Sequence, residues 1–294
     1  MSRPTLIDDQ QARLAKLSRR AGDLQAVPAV ITKALLCIDD PGSSISQVAA
    51  ILNTDQTIAG RLIGLANSAL YSGSRRFLTV REAVIRLGFR TVRDLLFATV
   101  VAGLARSPSR LYKLGPDRLW LHSLATAIAA RVIAEEAGIL DPETGYVAGL
   151  LHDIGRSILE RALKPTEMAD IRALVDRRKV SYQVAEGEVL GLTHCEIGAY
   201  RLAKWGVAPE LVEAVAKHHH PEPGSLAALV SVADALAIKA MGLAENDPGW
   251  DCIIDPELLK PLGPKVANLA EEPERLEAAL EKVRTGLSEA AVLP

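Results

Sequence analysis

Aromatic residues make up only 4% of the 294-residue chain. A core built on stacked rings is therefore excluded, and close packing of helices through Ala and Leu is the expected alternative. Cysteine is nearly as scarce. Cys37, Cys195 and Cys252 are three in number and form no CxxC pair, which excludes a disulfide framework and fits reduced thiols in a bacterial-type cytoplasm. All three are expected to be core fillers. Long apolar runs are missing as well: the longest nearly apolar stretch, LLFATVVAGLA at 95–105, is well short of the roughly 18–20 residues a spanning helix needs. The opening MSRPTLIDDQQARLAKLSRR has no apolar leader core, so a soluble, cytoplasmic protein without a membrane partner is expected. Net charge is -2 with pI near 6.3, and no global field argues for nucleic acid. No alternating strand pattern of useful length and no fixed-period repeat is present.

What is present is helix. Hydrophobic residues reach 49%, enough for a sizeable core in one large domain or two moderate ones. Breaks fall at DPGSS (40–44), YSGS (71–74) and Gly88, and TVRE at 79–82 reads as a capping box between Thr79 and Glu82. After the linker RSPSRLYKLGPDR, successive helical runs are expected to close at Gly138, Gly155, Gly206, before Pro221 and at Gly242. The first two dozen residues read as a charged amphipathic helix or arm. The last fifty or so, with DPGW and EEPERLEAALEKVRTGL, read as an appended helical tail.

All six histidines lie between 122 and 220. His122 has small neighbours at Ala125, Thr126 and Ala129, which leave room for an ion or for a packed helix; a hydrogen-bonded core histidine is the plain alternative. In AGLLHDIGRS (148–157), His152 and Asp153 stand about 100° apart around a helix, so both reach one ion only near a helix end. The competing reading is a helix C-terminus that favours an imidazolium. Asp234 has Val230, Ser231, Ala237 and Ile238 as its helical neighbours. A carboxylate on such a face needs a cation, a metal or an arginine from another helix. His194 follows the Thr193–Glu196 capping box, and of His218, His219 and His220 at most two can serve one site. Imidazoles and carboxylates in this number suit Fe, Mn, Zn or Co, and a bridging aspartate supports two ions that activate water at a phosphoester.

WLHSLATA, AGLLHDIGR, GLTHCEIGAYRLAKWGV, AVAKHHHPEP and VSVADALA are spaced as in the HD superfamily of metal-dependent phosphohydrolases. Together with AVPAVITKALLCIDD through ANSALYSG upstream, the chain resembles the HDOD branch over about residues 24–242. The resemblance implies an all-α, two-lobed helical bundle: an arm at 1–23, an N-terminal helical lobe at 24–110, an HD-like lobe at 111–243 and an extension at 244–294. It implies metal ligands His122, His152, Asp153, His194, His218, His219 and Asp234 for one or two divalent ions. Asp153 and Arg156 would carry the catalytic roles, with Arg156 and Lys217 near a phosphate. HDOD proteins are regarded as bacterial regulatory or scaffolding relatives of the hydrolases, often joined to receiver or cyclic-di-GMP-related domains. A regulatory protein partner, and a nucleotide or other phosphorylated ligand, are therefore expected, with an active two-metal phosphohydrolase as the alternative.

Two departures weaken cyclic-di-GMP hydrolysis. HHHPEPGS lacks the GYP loop of the related phosphodiesterases, and Arg118 stands where some of them place an acidic residue, against a third ion. A remaining possibility is nucleic acid at TVREAVIRLGFRTVRDLL. Six arginines between 75 and 94 face only Glu82 and Asp94, but Val84, Leu87, Leu95 and Leu96 fit packing better, so nucleic acid is not the expected partner.

Overall fold

A computed structural model of the chain describes residues 6–21, 29–67, 76–138, 140–245, 247–267 and 273–291. The described residues form sixteen α-helices and no strand; Ser109 and Leu114 make a single isolated bridge. The chain divides into two compact units, residues 23–100 and residues 1–22 with 101–294. This differs from the expected boundaries. The division falls ten residues earlier than 110, and both the arm and the C-terminal extension belong with the histidine-bearing unit.

The smaller unit holds α2 (Ala29–Asp39), α3 (Ile45–Leu52), α4 (Gln56–Ala66) and most of α5 (Val80–Ala105). Its helices start where side chains cap them: Ser44 with Gln47, Asp55 over Thr57 and Ile58, and Thr79 with Glu82 as the sequence expects. Asp40 accepts from the Gly42 amide in the DPGSS break, and Gly88, with φ 76 and ψ 161, interrupts α5. YSGS lies outside the described residues. Ile31, Leu52, Leu62 and Leu96 are fully buried, and Val84 and Leu87 are buried too, as packing rather than base contact requires. Arg93 is paired with Asp39.

In the larger unit, α6 (Arg118–Ala137), α7 (Pro142–Leu151) and α13 (Leu226–Ala240) pack together. Small residues allow this. A Cβ on Gly149 would stand 2.8 Å from the Thr126 carbonyl oxygen, so α6 and α7 meet almost backbone to backbone. Helix α8 (Ile154–Ala162) crosses α11 (His194–Lys204) more tightly still: a Cβ on Gly155 would lie 1.8 Å from the His194 carbonyl oxygen. Only glycine fits there. Helix α9 (Pro165–Arg178) packs on α10 (Tyr182–Leu190), and α12 (Pro209–Lys217) on α11 and α13.

Helix α1 (Leu6–Arg20) packs on α8 and α11. It buries Leu14 and Leu17, pairs Arg20 with Glu167 at 2.8 Å, and receives Arg201 at the Ser18 carbonyl. Apolar burial on one face explains why the arm is a docked helix. After α13 come two short helices, α14 (Pro256–Leu259) and α15 (Pro264–Ala267), and then α16 (Pro273–Ala291), which packs on α6 and α13. Among the described residues no helix is long and apolar enough to cross a membrane.

Candidate metal centre

The helical run through AGLLHDIGR does not close at Gly155. Helix α7 ends at Leu151, His152 is its cap, and Asp153 has φ -100 and ψ 14 before α8 begins at Ile154. Gly155 lies inside α8 because the α11 crossing needs it there. This kink removes the 100° problem: His152 Nε2 and Asp153 Oδ2 come within 3.4 Å of each other.

Around the kink the chain brings together ligands from five segments. His122 Nε2 on α6 is 3.3 Å from Asp153 Oδ2 and 3.1 Å from Asp234 Oδ1 on α13. His152 Nε2 is 3.5 Å from the same Asp234 oxygen. On the other side, His194 Nε2 at the start of α11 is 3.2 Å from Asp153 Oδ1, and His218 Nε2, just past α12, is 3.8 Å from it. His219 Nε2 stands 3.1 Å from His194 Nε2. Asp153 thus faces two groups, one oxygen to each. His122, His152, His194, His218, Asp153 and Asp234 are buried, His219 is half-buried, and His220 is exposed.

Three of the rings are fixed by their second nitrogen. His152 Nδ1 lies 2.7 Å from the Gly149 carbonyl and His218 Nδ1 lies 2.8 Å from the Val215 carbonyl. A carbonyl only accepts, so each Nδ1 carries a proton and donates, which leaves Nε2 to face the centre. His194 Nδ1 donates to Glu186 Oε2 at 2.7 Å, and the His194 amide donates to the same oxygen. Such outer partners are what orient metal-bound histidines.

The donor set fits a divalent ion on one observation above all. His122 Nε2, His152 Nε2, Asp153 Oδ2 and Asp234 Oδ1 are buried without a well-directed hydrogen bond among the described residues, although the nitrogens lie 3.1–3.5 Å from the oxygens and Arg156 Nε lies 2.6 Å from Asp153 Oδ2. Their distances suit hydrogen bonds but their directions do not. Atoms sharing one ion at about 2.1 Å stand about 3.0–3.4 Å apart with converging lone pairs, which is the arrangement seen. His122, His152 and Asp153 form one group able to hold an ion, and His194, Cys195, His218 and His219 another.

Charge in the metal-free centre is balanced by protons and one arginine. Burial alone would lower the His152 pKa, but Asp153 and Asp234 beside it raise it to about 10. Burial would raise the Asp153 and Asp234 carboxyls, yet Arg156 with His152 and His122 for the first, and His122 with His152 for the second, hold both well below the usual carboxylate range. Glu186 is likewise held low, against its burial, chiefly by His194. The Cys195 thiol, pushed up by burial, is pulled down to about 6 by the His194 and His218 rings.

The two residues expected near a phosphate have different surroundings. Arg156 is buried, with its Nε 2.6 Å from Asp153 Oδ2 and its guanidinium 4.5 Å from the Trp250 ring and 4.7 Å from the Tyr112 ring. Its charge is spent on Asp153 and on cation–π contact beneath the ligands. Lys217 lies at the surface, bound to Glu213 at 2.7 Å. The (i, i+4) partner on the same helix face claims it before any ligand does.

Other residues of the centre were not anticipated. Glu186 is fully buried between His194 and the Tyr112 hydroxyl, which donates to it at 2.7 Å. Its apolar helical neighbours Tyr182, Val189 and Leu190 are the same signal that singles out Asp234. Cys195, expected as a core filler, sits 4.0 Å from His218 Nε2. Trp250 from the C-terminal extension stacks edge-on to His122, with ring centroids 5.1 Å apart. That segment is locked in place: Tyr182 donates its hydroxyl to Asp247 at 2.7 Å, and a Cβ on Gly249 would strike the Tyr182 ring at 2.4 Å. The extension is thus a wall of the centre, and no periodicity in DPGW announces it.

A family model of the HDOD domain matches residues 24–221. The chain belongs to the HDOD family. Among solved structures, this HDOD chain is 30% identical to an HDOD domain protein of unknown function from Geobacter sulfurreducens, covering 94% of this chain and 99% of that one with a TM-score of 0.63. It is 26% identical to a candidate phosphohydrolase from Shewanella amazonensis, covering 93% and 98% with a TM-score of 0.65. Among curated proteins it is 25% identical to an uncharacterized protein of Treponema pallidum over 73% of this chain and 41% of the relative. It is also 30% identical to ribonuclease Y of Aquifex aeolicus over 55% of this chain and 24% of that enzyme. The HDOD chain therefore spans well under half the length of these curated relatives.

Proposed function

We propose that this HDOD protein is a regulatory module whose HD-like lobe binds divalent metal and which acts mainly through a partner protein. The observation that carries the metal is the set of buried, unpartnered nitrogens and oxygens converging on Asp153. Without an ion the two buried carboxylates depend on Arg156 and a protonated His152 for their balance, a role a divalent ion would take over from the imidazolium. The ion would be held by His122, His152, Asp153 and Asp234, and a second by His194, His218 and His219 with Asp153 between them. A bound divalent ion supplies Lewis acidity and a more acidic water. Against turnover stands the placement of the cations: Arg156 is buried against Asp153 and Lys217 is paired at the surface. Arg156 keeps a buried Nη1 without a hydrogen-bond partner among the described residues, so only its closeness to Asp153 weighs against its holding a phosphate.

The second reading, a metal-dependent phosphodiester hydrolase, is favoured by one fact besides the ligands: the similarity to a protein named ribonuclease Y. One experiment separates them. The full chain is purified without chelator, its Fe, Mn and Zn are measured, and it is assayed on cyclic nucleotides, phosphomonoesters and a short RNA. Metal near one or two equivalents without turnover supports the regulatory reading. Turnover that disappears in Asp153→Ala establishes the hydrolase, and a metal-free protein that takes up no added ion defeats both.

A further inference from the structure

Cys195 is set apart from the other two cysteines by its surroundings. It is buried beside His194 at the start of α11, and its Sγ together with one ring nitrogen each of His194, His218 and His219 lies within a sphere of mutual distances no greater than 4.8 Å. Two approaches define the cluster: Cys195 Sγ stands 4.0 Å from His218 Nε2, the range of a weak thiol hydrogen bond, and His194 Nε2 stands 3.1 Å from His219 Nε2. Around a tetrahedral ion with metal–sulfur at about 2.3 Å and metal–nitrogen at about 2.05 Å, sulfur and nitrogen stand about 3.6 Å apart and two nitrogens about 3.3 Å apart. The Cys195–His218 pair would have to close by a few tenths of an ångström, and the widest pairs of the cluster, at up to 4.8 Å, by about 1 Å, to share an ion. The two facing nitrogens of His194 and His219 need a proton or a metal between them, because two lone pairs at that distance repel. Asp153 Oδ1, buried without a hydrogen-bond partner and 3.2 Å from His194 Nε2, is aimed into the same group.

The other group is chemically different. His122, His152, Asp153 and Asp234 offer only imidazole and carboxylate. Ligands of that kind suit Fe, Mn or Zn without strong preference, whereas a thiolate selects softer ions, zinc foremost in this geometry.

We propose that Cys195 is a metal ligand, so that His194, Cys195, His218 and His219 form a sulfur-containing, zinc-type site distinct in metal preference from the neighbouring nitrogen and oxygen site. The proposal rests on the metal reading above and deepens it. Binding releases the thiol proton to solvent as the metal–sulfur bond forms; no electron transfer is involved. With these four side chains, and Asp153 Oδ1 beside them, protein groups would fill the ion's coordination and leave no place for water, as in structural zinc sites. The ion at this position would then hold α11 and α12 together rather than present a water to a substrate.

The test uses the full chain loaded with cobalt(II), whose bond to a thiolate gives an intense near-ultraviolet charge-transfer absorption that imidazole and carboxylate do not. Wild-type protein and the Cys37→Ser and Cys252→Ser variants are expected to show that absorption. Cys195→Ser is expected to lose it and to bind zinc roughly 100-fold more weakly, more than loss of an outer-shell partner usually costs. If Cys195→Ser does not fold, zinc-edge absorption spectroscopy on the wild type decides alone, with one sulfur at about 2.3 Å expected. Cobalt bound in stoichiometric amount without the sulfur absorption, or an absorption that survives in Cys195→Ser, overturns the proposal and leaves the metal reading standing. No cobalt bound by elemental analysis overturns both.

Discussion

His122 and Asp234 lie in the interior of α6 and α13, whereas His194, Cys195, His218 and His219 lie at helix ends. The two ligand groups meet at Asp153 but are held in different ways. Neither nitrogen of His122 has a hydrogen-bond partner, so its ring is placed by the packing of its helix and by the His152 and Trp250 rings, each with a centroid 5.1 Å away. His194 and His218 are instead tied by local bonds, to Glu186 and to the Val215 carbonyl. His122 thus depends on tertiary packing, whereas His152, His194 and His218 depend on local hydrogen bonds of their second nitrogen. Mutations should separate the two groups.

The largest effect is expected where the groups join. Asp153→Ala removes an oxygen from each group and leaves Arg156 buried without its carboxylate. Bound metal should fall by at least the equivalent held in the first group, as read by elemental analysis, and chemical denaturation should show a loss of about 3–5 kcal/mol. Asp234→Asn should weaken only the first group, by at least about 100-fold in a metal titration. The second group, read by cobalt spectra, should be unchanged. Glu186→Gln reverses that pattern and is milder, with about 10- to 100-fold lower affinity confined to the second group.

Proton linkage sharpens the contrast. In the metal-free protein the pKa of His152 is raised to about 10, so the imidazolium's contribution to stability is fully present below its ordinary 6.5 and is lost as pH rises through 10. A metal must displace that proton, so affinity should increase with pH between about 6.5 and 10, and titration in weak buffer should release acid. At saturation near 100 times Kd, the ion should add about 2.7 kcal/mol and raise Tm by roughly 5–10 °C.

The smallest effect should come from α1, which touches neither group. Glu167 is held below its ordinary 4.5, chiefly by its hydrogen bonds from Arg20. That contribution is present above 4.5 and lost as pH falls through the lower folded value. Arg20→Ala should cost about 0.2–1 kcal/mol in denaturant melts, with metal content unaffected.

Much of the centre is legible in the sequence because burial of charge is periodic. Asp234 betrays itself by Val230, Ala237 and Ile238 on its helix face, and the Thr193–Glu196 box predicts where His194 begins α11. Glu186 carried the same signal as Asp234. The pairing of Arg156 with Asp153 is not legible, since Asp153 stands just outside α8 and the sequence points Arg156 to a phosphate instead. Other features have no local trace. The break at Asp153 rather than Gly155 follows from the crossing of α8 and α11, and the seat of Trp250 against His122 follows from contact between residues more than a hundred positions apart. The docking of α1 on α8 and α11 is of the same kind.

Gly155 rests against the His194 main chain with no side chain between them. The separation of α8 from α11, and with it that of the two ligand groups, is consequently gauged by peptide bonds rather than by rotamers, as a machinist's shim sets a gap. Exchange of a ligand side chain alters one group and leaves that gap alone. A single methyl group at 155 would instead prise the pair apart with every ligand still in the chain.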